Sequence, residues 1–218
     1  MRSLTDMAAD LDVSTEQVLT TLRVVASRAG LEDLAEWAAK ELEGYGDEDE
    51  LPTHRRWELT IVADLYNPYQ AFVPAAHVPI TKKYRKEATT YYCREGVGQL
   101  ENGLEDKLGN SVTGVEHPKL AQIVGESLQP GWSCVRARAE FSSMHLSEIV
   151  SRSRQTALTF CLECEKKGIT LLYYGADDDG DAATEERKSW LKLIRQESTK
   201  LALKDIWAVL RDSLFTGS

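Results

Sequence analysis

A chain of 218 residues, 42% hydrophobic and 28% charged, has an ordinary globular composition and enough length to bury a sizeable core. Its net charge of −9 argues against a dedicated nucleic-acid binder, because phosphate contacts need a concentrated basic surface. No run approaches the roughly 18 apolar residues of a membrane span, and the N-terminal MRSLTDMAADLD lacks the charged-then-apolar layout of a signal peptide; a cytoplasmic protein is expected.

Ser3 to Leu11 reads as a short helix carrying Leu4, Met7, Ala8 and Leu11. Ser14, with Gln17 three residues on, is a capping box that opens a second helix whose face is Val18, Leu19, Leu22, Val25, Ala26 and Ala29. Gly30 ends it, and a third helix runs from Leu31 to Glu43. Three such helices imitate a helix-turn-helix, but Asp33, Glu36, Glu41 and Glu43 would repel phosphate from the third, so an antiparallel helical layer is expected instead. Gly44 stands where a helix stop wants φ > 0, an acidic run follows from Asp47 to Glu50, and Pro52 forbids the helix from resuming.

After Pro52 the pattern changes. Arg56 to Leu65 alternates with Trp57, Leu59, Ile61, Ala63 and Leu65 on one face, which predicts a strand; Asn67-Pro68 is a turn, and Tyr69 to Val73 returns as a second arm that Pro74 and Pro79 confine to a sheet edge. Thr81 caps a predicted helix from Lys82 to about Leu108, with Tyr84, Tyr91, Tyr92 and Leu100 inward and a break expected at Gly96 and Gly98. Pro118 to Leu128 is a short helix, Trp132 to Phe141 a strand, and Ser142 or Ser143 caps a long helix to Lys167 that Gly168 stops. Ile169 to Tyr174 is a short apolar stretch, a strand or an extended crossing. From Thr184 a helical pattern runs to the end, its apolar face made by Trp190, Leu191, Ile194, Leu201, Ile206, Trp207, Leu210 and Leu214. Such a face packs on the body of the protein or finds a second chain.

Few constellations point to chemistry. Asp177 to Asp181 superficially resembles a calcium loop, but the twelfth position is Lys188 or Trp190, where a bidentate carboxylate is required; a solvated linker is expected. Cys161 and Cys164 have CxxC spacing without a second pair, inside an apolar helical pattern that favours packing over redox or zinc chemistry. His54, His77, His117 and His145 show no ligand spacing, and no phosphate-binding or nucleophile motif is present. Glu41, Glu43 and the carboxylates from Asp47 to Glu50 offer the donors for a divalent metal. Arg55 and Arg56 either pair with those carboxylates or form an anion or partner site.

Leu22 to Arg56, LRVVASRAGLEDLAEWAAKELEGYGDEDELPTHRR, resembles the AbiTii domain of bacterial abortive-infection proteins. The family pattern combines a leucine-rich helix, a small-residue turn, EL-x-x-W-x-x-x-EL-x-GY, an acidic stretch and LP-x-YR. Its matching positions here are Leu34, Trp37, Glu41, Leu42, Gly44, Tyr45, Leu51, Pro52 and Arg55. Asp33 stands in place of the first glutamate and His54 in place of the usual tyrosine. Weaker likeness continues through Asn67-Pro68, Pro79-Ile80, Glu95 to Leu104, and Ser147 to Phe160, so the resemblance spans about Met1 to Lys167.

The expected fold is α+β, mostly helical, with a small antiparallel sheet and a C-terminal helical appendage; the expected division is 1–168 and 169–218. The resemblance implies antiphage defence and transfers no catalytic residue, metal or cofactor. The expected function is a non-enzymatic sensor or adaptor that homo-oligomerises or binds another defence protein through Trp190, Leu191, Ile194, Leu201, Trp207, Leu210 and Leu214. Its rivals are a metal-dependent nuclease or nucleotide-processing effector using the carboxylates of Glu41 to Glu50, and an anionic-nucleotide sensor using Arg55 and Arg56.

Overall fold

The computed structural model describes residues 2–69, 71–105, 113–115, 118–173 and 181–216. Leu108, His117, Tyr174 and the acidic stretch 177–180, singled out above, lie outside the described residues.

The first helices start where the sequence supplies caps. A two-residue strand β1 (Arg2–Ser3) leads into α1 (Leu4–Ala9), with the Ser3 side chain accepting from Asp6 N. Helix α2 (Thr15–Ala29) begins at Ser14, whose Oγ accepts from Gln17 N at 3.1 Å, and ends at Gly30 in the left-handed conformation, φ 70°. The Glu101 carboxylate adds a second cap, accepting from Thr15 N at 2.8 Å and Glu16 N at 3.2 Å, where a helix N-terminus favours negative charge. Helix α3 (Glu32–Glu43) follows and stops at Gly44.

The predicted hairpin and second strand are present. β2 (Arg56–Glu58) and β3 (Thr60–Asn67) divide the expected first strand at Leu59, and β4 (Ala71–His77) returns from the Asn67-Pro68 turn as an edge strand carrying Pro74. The helix expected from Lys82 to Leu108 is not continuous. It resolves into α4 (Arg85–Thr89), β5 (Thr90–Tyr92) and α5 (Val97–Glu105). The cause lies in residues whose helical spacing hid their strand propensity: Thr90, Tyr91 and Tyr92 are β-branched or aromatic, and they pair antiparallel with Glu58, Trp57 and Arg56. Trp57 stacks on Tyr91 at 6.3 Å and meets Phe141 edge-on at 5.9 Å. A three-residue strand β6 (Thr113–Val115), too short to announce itself in the sequence, precedes α6 (Pro118–Ser127) and β7 (Ser133–Phe141). The main sheet has the order β4-β3-β7-β6, antiparallel throughout.

The long helix α7 (Ser143–Lys166) ends before Gly168, φ 73°. β8 (Leu172–Tyr173) pairs antiparallel with β1, and the C-terminal pattern forms α8 (Asp181–Ile194) and α9 (Glu197–Thr216). Among the described residues no helix is long and apolar enough to cross a membrane.

Packing divides the chain into two compact units, and the division does not follow sequence order. One comprises Met1–His54, Arg94–Gly103 and Ser147–Ser218; the other comprises Arg55–Cys93 and Leu104–Leu146 and holds the main sheet. Residues 169–218, expected as a separate segment, thus share a unit with the N-terminal helices. The helical unit has a continuous core in which Leu19, Leu22 and Leu34 meet Phe160, Cys161 and Cys164 of α7 and Trp190, Ile194, Leu203 and Trp207 of α8 and α9. Trp37 and Trp207 lie 5.1 Å apart with planes tilted by 46°, and Phe160 meets Trp207 edge-on at 6.3 Å. Cys161 and Cys164 serve packing: burial raises the thiol pKa of both, that of Cys164 to about 12, which leaves no reactive thiolate at neutral pH. Arg154, also on α7, donates from Nε to Ala8 O at 2.9 Å and from Nη1 to Val13 O at 2.7 Å, and its Nη2 reaches Asp10 O, gathering the carbonyls around the end of α1.

Gly96 leaves no room for a side chain: a Cβ there would collide with the Leu42 carbonyl oxygen. Gly96→Ala is therefore expected to cost at least about 2 kcal/mol. Gly103→Ala, in α5 with open space around it, should raise stability by about 0.5–1 kcal/mol. Urea-denaturation midpoints check both.

Candidate functional site

Helix α3 carries Glu41 in its last turn, fully buried, at 0% exposure. A carboxylate there is doubly disfavoured, by loss of water and by the negative end of the helix dipole. Two hydroxyls offset this. Tyr45 Oη donates to Glu41 Oε1 at 2.7 Å, and Ser153 Oγ lies 2.7 Å from Oε2 and 2.9 Å from the Ile149 carbonyl oxygen. His54 Nε2 stands 3.7 Å from Glu41 Oε1, with its side chain only 6% exposed. The imidazole at the position where the family pattern has a tyrosine thus faces the same carboxylate.

The chain turns sharply after α3. Gly44 adopts φ 99°, and a Cβ there would sit 2.6 Å from Arg94 O. That close approach lets Tyr45 N donate to Arg94 O at 2.8 Å. The Arg94 guanidinium in turn donates to Gly46 O and, at 2.9 Å, to Asp47 O. Asp49 closes the turn by accepting from Gly46 N at 2.7 Å and from Lys40 Nζ at 2.9 Å, while Lys40 also reaches Glu36 at 2.8 Å. Hydrogen bonds that Lys40 donates to Glu36 and Asp49 hold its pKa above the ordinary value, and the bond from Lys40 holds the Asp49 carboxyl below the usual carboxylate range. A depressed carboxyl pKa contributes stability above the ordinary carboxylate range and loses it as pH falls; at this exposed position the contribution is small.

Above this brace lies an open cleft of about 500 Å³ whose aromatic wall is Trp37, Tyr45, Trp207 and Phe215. All four belong to the helical unit.

The residues singled out from the sequence fall into three groups. Leu34, Trp37, Glu41, Tyr45, Leu51 and Pro52 are buried, and Leu42 packs half-buried on the same core, so the most family-like block is scaffold first. Arg55 is fully buried and donates from Nη1 to Cys93 O at 3.3 Å while its own carbonyl accepts from Cys93 N at 3.0 Å. The backbone of Arg56 pairs with that of Tyr92 between β2 and β5. On the C-terminal face, Trp190, Ile194 and Trp207 are buried, Leu191, Leu210 and Leu214 pack half-buried against the core, and Leu201 is 62% exposed. The three buried side chains are not available to a second chain. Periodicity marks a face as buried without saying what buries it.

Ser153 and Arg94 were not singled out as partners of the motif. Only the fold brings them to Glu41 and to the 46–47 carbonyls. Among the described residues no three His, Cys, Asp or Glu side chains group to hold a metal ion. Glu41 is taken by hydroxyls and is no free metal ligand.

The Tyr45 and Ser153 hydroxyls share one buried carboxylate, so Tyr45→Phe and Ser153→Ala should each cost about 1–3 kcal/mol, with a coupling of about 0.5 kcal/mol or more in the double variant. Additive costs in chemical denaturation would mean that the two hydroxyls act separately.

A family model described as AbiTii matches residues 1–179, the greater part of the chain. No curated protein and no solved structure matches the chain.

Proposed function

The chain belongs to the AbiTii family, which implies abortive-infection antiphage defence, and within that role we propose that it acts as a sensor or adaptor, by association with a second copy or another defence protein. The observation that carries this reading is the use of the signature block. Glu41, the one motif carboxylate in the core, accepts from Tyr45 and Ser153, and the surrounding motif residues are packed away from solvent. A block spent on its own scaffold leaves work to the surface.

Self-association, first expected of the whole C-terminal face, now rests on what that segment leaves outside. Leu193, Leu201 and Val209 are 43%, 62% and 72% exposed on α8 and α9, while the tryptophans of the same helices serve the core. Large apolar side chains kept in water on one helical segment support a contact with another chain. Size exclusion with light scattering should give the full-length protein as a defined oligomer and the double variant Leu201→Asp, Val209→Asp as a smaller species with an unchanged melting temperature. A wild-type monomer at every concentration excludes self-association through this surface.

A further inference from the structure

Two groups of exposed apolar side chains stand on surfaces of opposite charge. One is on α9. Glu197, Leu201, Asp205 and Val209 follow one another at four-residue intervals along it, all exposed, while Leu203, Ile206 and Trp207 fill the core from the other side. Acidic and apolar groups thus alternate down one stripe, with Leu201 and Val209 about 12 Å apart along the helix axis. The stripe belongs to a unit that holds 27 acidic residues against 16 basic ones.

The other group is at one end of the main sheet. Tyr66 and Phe72 face each other across the β3–β4 pair, Tyr69 follows at the turn, and Val135 lies where the β3–β7 register shifts. Tyr66, Phe72, Tyr69 and Val135 are 46%, 52%, 92% and 62% exposed. Hydrogen bonds tie this end down: Asn67 Oδ1 accepts from Tyr69 N at 2.8 Å, and Ser133 Oγ donates to Tyr66 O at 3.3 Å. No carboxylate occurs between Asp64 and Glu87, or between Glu126 and Glu140, where Arg136 and Arg138 follow Val135. Asp64 itself accepts from Ala75 N at 2.9 Å and lies 4.0 Å from Arg138. The sheet unit holds 8 acidic residues against 10 basic ones, so the helical unit carries all of the net negative charge. Electrostatic attraction therefore favours unlike units over like ones when two copies meet.

We propose that the aromatic end of the sheet in one copy seats on the α9 stripe of the next copy. Phe72 and Val135 stand on β4 and β7, two strands apart and so about 10 Å, close to the spacing of Leu201 and Val209. Arg136, next to Val135, then comes to Asp205, which lies between the two apolar groups of the stripe. A contact between unlike surfaces repeats until the assembly closes on itself. The proposal names the partner of the α8–α9 surface and rests on the association reading.

Two double variants, each altering one surface at exposed positions, test it by size exclusion with light scattering. They are Phe72→Asp with Val135→Asp, and Leu201→Asp with Val209→Asp. Each alone is expected as a monomer and their equimolar mixture as a dimer, because each supplies the surface that the other lacks. An unchanged melting temperature shows that a variant is folded; where Phe72→Asp lowers it, Tyr69→Asp takes its place. A sheet variant that keeps the wild-type oligomer, or two monomeric variants that stay apart when mixed, overturns the proposal and leaves self-association through α8 and α9 standing. A wild-type chain that is monomeric at every concentration removes the association reading itself, and this proposal with it.

Discussion

A fully buried carboxylate at the wrong end of a helix constrains everything around it. Glu41 sits where both desolvation and the α3 dipole disfavour its charge, and Tyr45 and Ser153, each bringing a hydroxyl to 2.7 Å, help to offset that. At Gly44 the chain reverses out of the helix through a positive φ, and Tyr45 meets the carboxylate four positions earlier from outside α3. That reversal brings the backbone against Arg94, which then secures the acidic loop through the Gly46 and Asp47 carbonyls. Ser153 must come from α7, more than a hundred residues away. One carboxylate therefore ties together the third helix, the loop after it and the long helix near the end of the chain.

The fold was legible where local chemistry decides the outcome. Ser14 and Gly30 bound the second helix as their cap preferences demand, Asn67-Pro68 turns a hairpin, and Pro74 sits on an edge strand. Legibility failed where a distant partner decides. Thr90 to Tyr92 have a spacing that suits a helix face, yet the free edge of Arg56 to Glu58 takes them as a strand. Gly96 reads as a weak point in a helix; its real constraint is the Leu42 carbonyl, which a Cβ would strike, a contact across more than fifty residues.

The candidate site shows the same limit. Trp37, Glu41, Gly44 and Tyr45 were visible as a block, but their role was not, because the residues that give it meaning are Ser153, Arg94 and Trp207, from other parts of the chain. Arg55 and Arg56 read as partners of the acidic run or as an anion or partner site, and Arg55 proves to be buried and bound to Cys93. The tail tryptophans were correctly read as belonging to an apolar face. Sequence alone leaves open whether such a face meets its own body or another, and here Trp207 packs on Trp37 of the same chain.

If the signature block is scaffold and the working surface lies outside it, defence should follow the folded fraction of the protein when Glu41 is altered. The most direct measurement pairs the melting temperature of Glu41→Gln with protection of a phage-challenged host by the same variant. The account predicts that protection falls only as far as the folded population falls, and is restored when a stabilising substitution such as Gly103→Ala restores the melting temperature. A Glu41→Gln protein that is fully folded yet gives no protection would contradict it and return Glu41 to a chemical role.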